Sequence, residues 1–440
     1  MLKRIKINGY KSLNNLEVSL QPLSVFFGPN AAGKSNLLDA LQLLSAIVTS
    51  RTLKEAFEPP YRGKPLESFT FDQDGMKGLL KKETVSFSIE ADIELSDTVI
   101  DSANQQVREM KRKVSDGASE EEKSEENRKE QSYVHEKSLR YRIEVEITPK
   151  TGILRVADEY LAGLNKEGQV TRRRKPFLEK VKGRLHLRME GQAHPTYYEC
   201  YLDHSILSMP HYPPHYPHLI AARQELASWL FFYFEPRERM RAANPVKEVR
   251  HIGLMGEELA SFLNTLRAFH PQQFRAVEKA MHMVIPNVTG IEVDVNEHGT
   301  VDLRLIEGET PVPVGLISEG TLRVLGLLAL AGAKETSSLI GFEEPENGIH
   351  PQRIRMIADI LKNRALSDGT QLIVTTHSPI LPDMVKNDSL FVCRKEGKRT
   401  VIESFSTWGA LGRKTDIGKA LDRDEETLIS ERMMRGDFDA

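Results

Sequence analysis

The chain has 440 residues, with 60 Lys plus Arg against 63 Asp plus Glu and a formal net charge of -3. Hydrophobic residues make up 40% and charged residues 28%, an ordinary soluble globular composition that excludes collagen-like, disordered and disulfide-scaffold classes. The balanced charge confines any nucleic-acid contact to a local patch, and the length predicts about two to three domain-sized units.

The chain opens in strands. Ile5 and Ile7 alternate with polar residues, as do Leu16, Val18 and Leu20. Leu23–Phe27 reads as a short buried strand ending in Gly28, and Asn36–Val48, apolar nearly all round, as a buried helix. Arg51–Gly78 is loop-like, and Thr84–Leu95 alternates as a half-buried strand. Gln105–Lys137, a charged excursion with almost no large apolar residues, reads as a solvated helix or a disordered insertion without a core of its own. Strands resume at Leu139–Ile147, Ile153–Leu161, Leu185–Met189 and Tyr197–Leu202. A helical pattern covers Leu219–Phe234, two helices fill Leu254–Val284, and Val301, Leu303 and Leu305 mark another strand.

The last third alternates helix and strand. A helix at Ser318–Ala333 precedes the strand Leu339–Phe342, and a helix from Pro351 precedes the strand Gln371–Thr375. A short helix near Pro379–Val385 and a strand at Ser389–Cys393 follow. That alternation predicts βαβ units and a mostly parallel sheet, hence an α/β fold.

Four motifs carry chemistry. Gly28-Pro29-Asn30-Ala31-Ala32-Gly33-Lys34-Ser35 matches GxxxxGK[ST] between a buried strand and a helix. In such a loop the backbone amides and the helix N-terminus cradle phosphate oxygens. Lys34 would neutralise the β- and γ-phosphates, and Ser35 would ligate Mg²⁺. In Leu339-Ile340-Gly341-Phe342-Glu343-Glu344 an apolar strand ends in paired acids. Glu343 would face the metal and Glu344 would deprotonate the attacking water. The strand Leu372–Thr375 delivers His377, in Thr376-His377-Ser378-Pro379, to the same sheet edge, where it suits a γ-phosphate sensor. Ser318-Glu319-Gly320 opens an apolar helix with a good N-cap and an amide-rich end for an anion.

Taken in order, the set resembles the ABC-type ATPase superfamily, closest in style to its SMC, RecF and OLD-like branch. The resemblance covers Met1–Val48 and Val301–Phe405 by motif. It implies an ABC-type head with a mixed sheet and an inserted α+β subdomain between Walker A and the signature motif. The corresponding division is residues 1–95 for an N-terminal lobe, 96–300 for the insert and 301–440 for a C-terminal lobe. It makes Gly28–Asn36 the Walker A loop, with ATP contacts from Gly28, Asn30, Ala31, Ala32, Gly33, Lys34, Ser35 and Asn36. Leu339–Glu344 becomes Walker B with Glu344 catalytic, Glu346–His350 the D-loop, His377 the switch histidine and Ile317–Thr321 the signature. Ser35 and Glu343 would hold Mg²⁺. Two residues depart from the usual pattern: Glu319 stands where transporters have Gly, and Glu343 stands where Walker B has Asp. Since the signature of one subunit contacts ATP on another, the resemblance also implies a homodimer with two composite sites.

That resemblance implies a dimeric, ATP-driven conformational switch for a separate effector, in anti-phage defence or DNA maintenance. Two rivals stand beside it: a nucleic-acid-binding scaffold with little turnover, and the cytosolic ATPase subunit of a transporter. Arg172-Arg173-Arg174-Lys175, with Lys180, Lys182, Arg184, Arg188 and Phe177, forms the local basic patch for nucleic acid. Met209–His218 holds three histidines among prolines and reads as a packed loop. The stretch after His377 is expected to be too short for a Toprim nuclease, although Asp422-Arg423-Asp424 has the bare spelling. Cys200 and Cys393 lack metal-site spacing and read as reduced thiols. Met1–Leu13 is basic without an apolar stretch, so the expected location is the cytoplasm, away from membranes.

Overall fold

The computed structural model describes residues 1–71, 73–115, 132–171, 174–190, 194–332, 337–367, 369–408 and 428–438. Two compact units share the chain. One comprises Met1–Leu20, Asp39–Trp229 and Glu396–Thr400; the other Gln21–Leu38, Leu230–Lys395 and Val401–Ala440.

The first unit is built on an eight-stranded antiparallel sheet. Its spatial order is Leu16–Ser19, Leu2–Asn8, Val85–Glu94, Ser138–Thr148, Ile153–Gly163, Leu178–Val181, Arg184–Leu187 and Thr196–Glu199. Strict alternation decides which face is buried: Leu139, Tyr141, Ile143, Val145 and Ile147 all point into the core. A helix at Asp97–Ser115 buries Val99, Ile100, Ala103 and Val107, and the helix Pro217–Ala227 packs beside it. The apolar stripe lies in its first turns, and from Gln105 the helix is mostly exposed apart from Val107, the solvated helix expected there. Its charged continuation at 116–131 lies outside the described residues.

The second unit holds the motifs. Its main sheet has the order Leu230–Phe232, Leu339–Glu343, Gln371–Thr375, Leu23–Phe27, Leu390–Glu396 and Arg399–Ser404. The first five strands run parallel. Parallel strands are covered on both faces, so Leu23–Phe27 and Gln371–Thr375 are buried at every position. The helices Glu319–Gly332 and Pro351–Ser367 pack in this unit, the latter on Ile354, Ile357, Ala358 and Leu361. A smaller antiparallel sheet joins Asn244–Pro245, Val288–Val295, Thr300–Glu307 and Thr310–Pro313, against the helices Leu259–Phe269 and Pro271–Val284.

Two expectations change. The helical pattern over Leu219–Phe234 is a helix only to Ala227. Leu230–Phe232 leaves it to pair in parallel with Ile340–Phe342 as the edge strand of the main sheet. The compact units also ignore the boundaries expected at 95 and 300. Residue 95 falls within one continuous antiparallel sheet, and residue 300 falls inside the hairpin of Val288–Val295 with Thr300–Glu307.

Candidate functional site

The parallel order places Leu23–Phe27 next to Gln371–Thr375, with Leu339–Glu343 one strand further. All three strands end at the same carboxyl edge, the position at which such sheets bind ligands. Gly28 turns the chain out of its strand at φ +141°, and a Cβ there would lie 2.0 Å from the carbonyl oxygen of Cys393. Only glycine fits that approach. Ala31 takes a left-handed conformation at φ 61° before the helix Lys34–Thr49 begins.

Lys34 is buried, and its ammonium group has three donors and finds three acceptors. Nζ donates to the carbonyl oxygens of Gly28 and Pro29, each at 2.8 Å, and lies 3.3 Å from His377 Nδ1. An ammonium group accepts nothing, so Nδ1 is the acceptor and the imidazole proton sits on Nε2. That nitrogen lies 2.7 Å from Glu344 Oε1. Burial, together with the Lys34 charge, pulls His377 below the ordinary imidazole range, against the opposing pull of Glu344 and Glu343. Burial also lowers Lys34, opposed by Cys393 and the three glutamates Glu344, Glu346 and Glu343. Ser35 Oγ donates to Glu343 Oε1 at 2.5 Å.

Glu344 follows the end of its strand in a left-handed conformation at φ 49°, sparsely populated by a residue with a Cβ. Its own N–H holds that turn by donating to Thr375 O at 2.9 Å. The carboxyl is thereby aimed at His377, and Asn347 Nδ2 stands 3.4 Å from its other oxygen. Lys34, Ser35, Glu343, Glu344 and His377 therefore converge, as their spacing in the sequence suggested.

Ser318, Glu319 and Gly320 meet a different part of the same unit. The Ser318 hydroxyl accepts from the Thr321 amide at 3.2 Å and donates to its hydroxyl at 2.8 Å, the predicted N-cap. Glu319 Oε1 accepts from Arg237 Nε at 2.8 Å. A Cβ on Gly320 would lie 2.3 Å from Gly348 O. Ser318 itself is exposed, and Leu316 beside it is 78% exposed.

The sequence shows Arg237, Arg239 and Arg241 only as a second basic cluster for nucleic acid; the structure makes Arg237, Arg241 and Arg323 supports of this loop. Arg241 donates to Ile317 O, while Arg323 donates to Asn347 O at 2.5 Å and Phe234 O at 3.1 Å. The Glu235 carboxyl folds the segment that carries Arg237 by accepting from the amides of Arg237, Glu238 and Arg239. Alternating arginines in Arg237-Glu238-Arg239-Met240-Arg241 were a signal, but the partners lie far away in sequence.

The expected nucleic-acid patch is interspersed with acids. Arg174 lies 3.3 Å from Glu190, Arg184 3.1 Å from Glu199 and Arg188 2.5 Å from Glu179. Phe177 is buried, stacked 4.5 Å from His218. Lys175 is exposed, and Arg172 and Arg173 lie outside the described residues. In the histidine loop His218 is fully buried between Glu190 and the amides of His135 and Glu136. Among the described residues no group of three or more His, Cys, Asp or Glu is placed to hold a metal ion by itself. Asp422-Arg423-Asp424 is likewise outside them.

The donors beside the loop fit Mg²⁺, which takes few protein oxygens and completes its shell with water and phosphate. The Ser35 hydroxyl and the Glu343 carboxyl are two such hard oxygens, already facing each other.

Residues 1–159 match the AAA ATPase domain family, and residues 203–383 match a family described as an AAA domain, AbiEii toxin, type IV TA system. An OLD nuclease of Thermus scotoductus is 27% identical over 119 residues, which cover 26% of this chain and 22% of that protein. The chain thus aligns with under a quarter of that curated relative's length. An SMC head bound to the C-winged helix domain of ScpA superposes with a TM-score of 0.50 at 10% identity, over 92% of this chain and 99% of that one. A Pyrococcus furiosus Smc head with an extended coiled coil, bound to the C-terminal domain of ScpA, gives 0.47 at 9% identity, over 97% and 99%. With the fold and the converging loop, these matches define a P-loop ATPase. Within that class it is similar over part of its length to an OLD nuclease, and its α/β fold is like that of an SMC head. Among the described residues no helix is long and apolar enough to cross a membrane.

Proposed function

We propose that two copies of this chain close around ATP and that hydrolysis releases them, which makes the chain a switch for a separate effector. The observation that carries the reading is the split site. Lys34, Ser35, Glu343, Glu344 and His377 converge in one place, while Ser318 offers an exposed helix end with its own supporting loop. An exposed amide-rich end suits phosphate delivered by a second copy.

In this reading Lys34 binds the β- and γ-phosphates, and the amides of Gly28 to Asn36 cradle them. Ser35 and Glu343 would hold Mg²⁺, which supplies charge stabilisation to the transferring phosphoryl group. Glu344 takes a proton from the attacking water. His377, with its proton on Nε2, holds the Glu344 carboxyl in place and senses the phosphate. Ser318, Glu319 and Gly320 complete the site of the partner copy. The matched names, a type IV toxin–antitoxin system and an OLD nuclease, suit a place in defence or DNA maintenance, and the effector on a separate chain is part of this proposal.

The test is mass in solution with and without ATP and Mg²⁺, for wild type and Glu344→Gln, alongside phosphate release. The reading expects Glu344→Gln to accumulate an ATP-bound dimer and to lose turnover by about 10²–10⁴-fold. A monomer under every condition refutes the dimer. Wild-type turnover as low as that of the variant favours an ATP-held scaffold instead.

A further inference from the structure

Glu346 is the most deeply buried of the three acids in Glu343-Glu344-Pro345-Glu346. Its Oε1 accepts from the Thr376 hydroxyl and from the Ser378 amide, the latter at 3.3 Å. Thr376 and Ser378 are the two neighbours of His377. The same Thr376 hydroxyl also accepts from the Ser378 amide at 2.9 Å. The Thr376 amide donates to Phe26 O at 2.9 Å, so the turn is tied to the strand that precedes the phosphate loop. Glu346 Oε2 is buried without a hydrogen-bond partner. Burial raises this carboxyl above its ordinary range, so the acid is held toward its neutral form rather than by an ion pair.

We propose that Glu346 is a positioning residue for hydrolysis. It holds the Thr376 hydroxyl on one side of His377 and the Ser378 amide on the other, and so sets the imidazole against Glu344. The step inherits the reading of His377 and Glu344 given above. The chemistry explains why a buried acid serves here. The clamp needs one acceptor oxygen shared by a hydroxyl and an amide, and a side chain long enough to reach them from the acidic turn. It needs no charge. Glutamine offers the same acceptor at the same reach, whereas alanine offers none, so the Thr376 hydroxyl loses its acceptor and the Ser378 amide keeps only Thr376. His377 would then be free to swing, and misplacement by about 1 Å costs on the order of a hundredfold in rate.

The experiment compares Glu346→Ala, Glu346→Gln and His377→Ala, and combines Glu346→Ala with His377→Ala, in the full chain. Steady-state kcat and KM for ATP are read with thermal unfolding. We expect Glu346→Ala to lower kcat roughly tenfold or more with KM within about twofold, and Glu346→Gln to restore kcat. In the His377→Ala background, Glu346→Ala should add little, because residues acting as a unit are non-additive. Full additivity of the two losses overturns the proposal, as does a Glu346→Ala enzyme with wild-type kcat while His377→Ala is impaired. If His377→Ala itself turns over normally, the role given to the histidine fails and this inference fails with it. Should Glu346→Ala fail to fold, Glu346→Gln with a large kcat loss refutes the neutral-clamp account on its own.

Discussion

Replacing Gly320 by Ala tests whether the turn at Ser318–Gly320 is held against Gly348 by backbone contact. Two effects oppose each other. Gly320 lies in the first turn of the helix Glu319–Gly332, where Ala gains up to about 1 kcal/mol of helix propensity. The new Cβ, however, falls 2.3 Å from Gly348 O. A carbon and a carbonyl oxygen settle near 3.3 Å, so a shift of about 1 Å is required. The obstacle is backbone, which cannot rotate away as a side chain would. Overpacking of this kind costs about 1–3 kcal/mol, and rigid surroundings put it at the upper end. The net loss is therefore about 2 kcal/mol, or roughly 4–8 °C in the melting temperature of a unit of this size. Gly315→Ala is the control, since a Cβ there meets nothing within 4 Å. Differential scanning calorimetry should show the fall for Gly320→Ala and almost none for Gly315→Ala, with ATP-driven dimerisation weakened only in the former. Equal melting temperatures for Gly320→Ala and wild type would refute the tight contact.

Three other outcomes can be checked. Arg237→Ala leaves the Glu319 carboxylate unopposed at the signature helix end; ATP-dependent dimerisation should weaken severalfold in sedimentation, and Arg237→Ala with Glu319→Gly should recover it. His377 is pulled below the ordinary imidazole range, so it stays neutral through neutral pH. The contribution of its neutral form to stability and turnover is present above pH 6.5 and is lost as the pH falls through its lowered value, which a kcat profile should show as an acid limb absent in His377→Asn. Cys393 is fully buried, and its thiol is pushed up to about 12, so iodoacetamide followed by mass spectrometry should leave it unmodified until the protein unfolds.

The parts of the fold that the sequence revealed share one property: their burial is uniform or strictly alternating. Leu23–Phe27, Leu339–Glu343 and Gln371–Thr375 are short apolar runs because parallel strands are covered on both faces. Ser138–Thr148 alternates because one face is wet. Leu230–Phe232 escaped because three aromatic-rich residues beyond a helix continue its apolar pattern; pairing with Ile340–Phe342 decides their conformation. The site behaves likewise. Gly28 to Ser35, Glu344 and His377 are legible because phosphate chemistry demands those residue types at those places. Arg237, Arg241, Arg323 and Glu346 act through backbone carbonyls, a carboxylate and a turn, and such partners leave no spacing to read.

The segment Glu344–Gly348 has the contacts to make hydrolysis and dimer contact depend on each other. At one end Glu344 faces His377 and its amide holds Thr375. Next, Glu346 holds the turn around His377. At the other end Asn347 O accepts from Arg323, in the signature helix, and Gly348 O lies in van der Waals contact with Gly320. Most of these contacts use backbone atoms, which cannot adapt by changing rotamer as long side chains do. A shift of the signature helix by a fraction of an ångström, imposed by a second copy, must therefore move Asn347 and Gly348 or break the Arg323 bond. Proline at position 345 stiffens the path from there to Glu344 by fixing φ. Charge alone would not give this behaviour, since the exposed Arg237–Glu319 pair can re-form in several geometries. In the proposed dimer, Glu344 would respond to the second copy through packing, with the ion pair tuning how readily that copy docks.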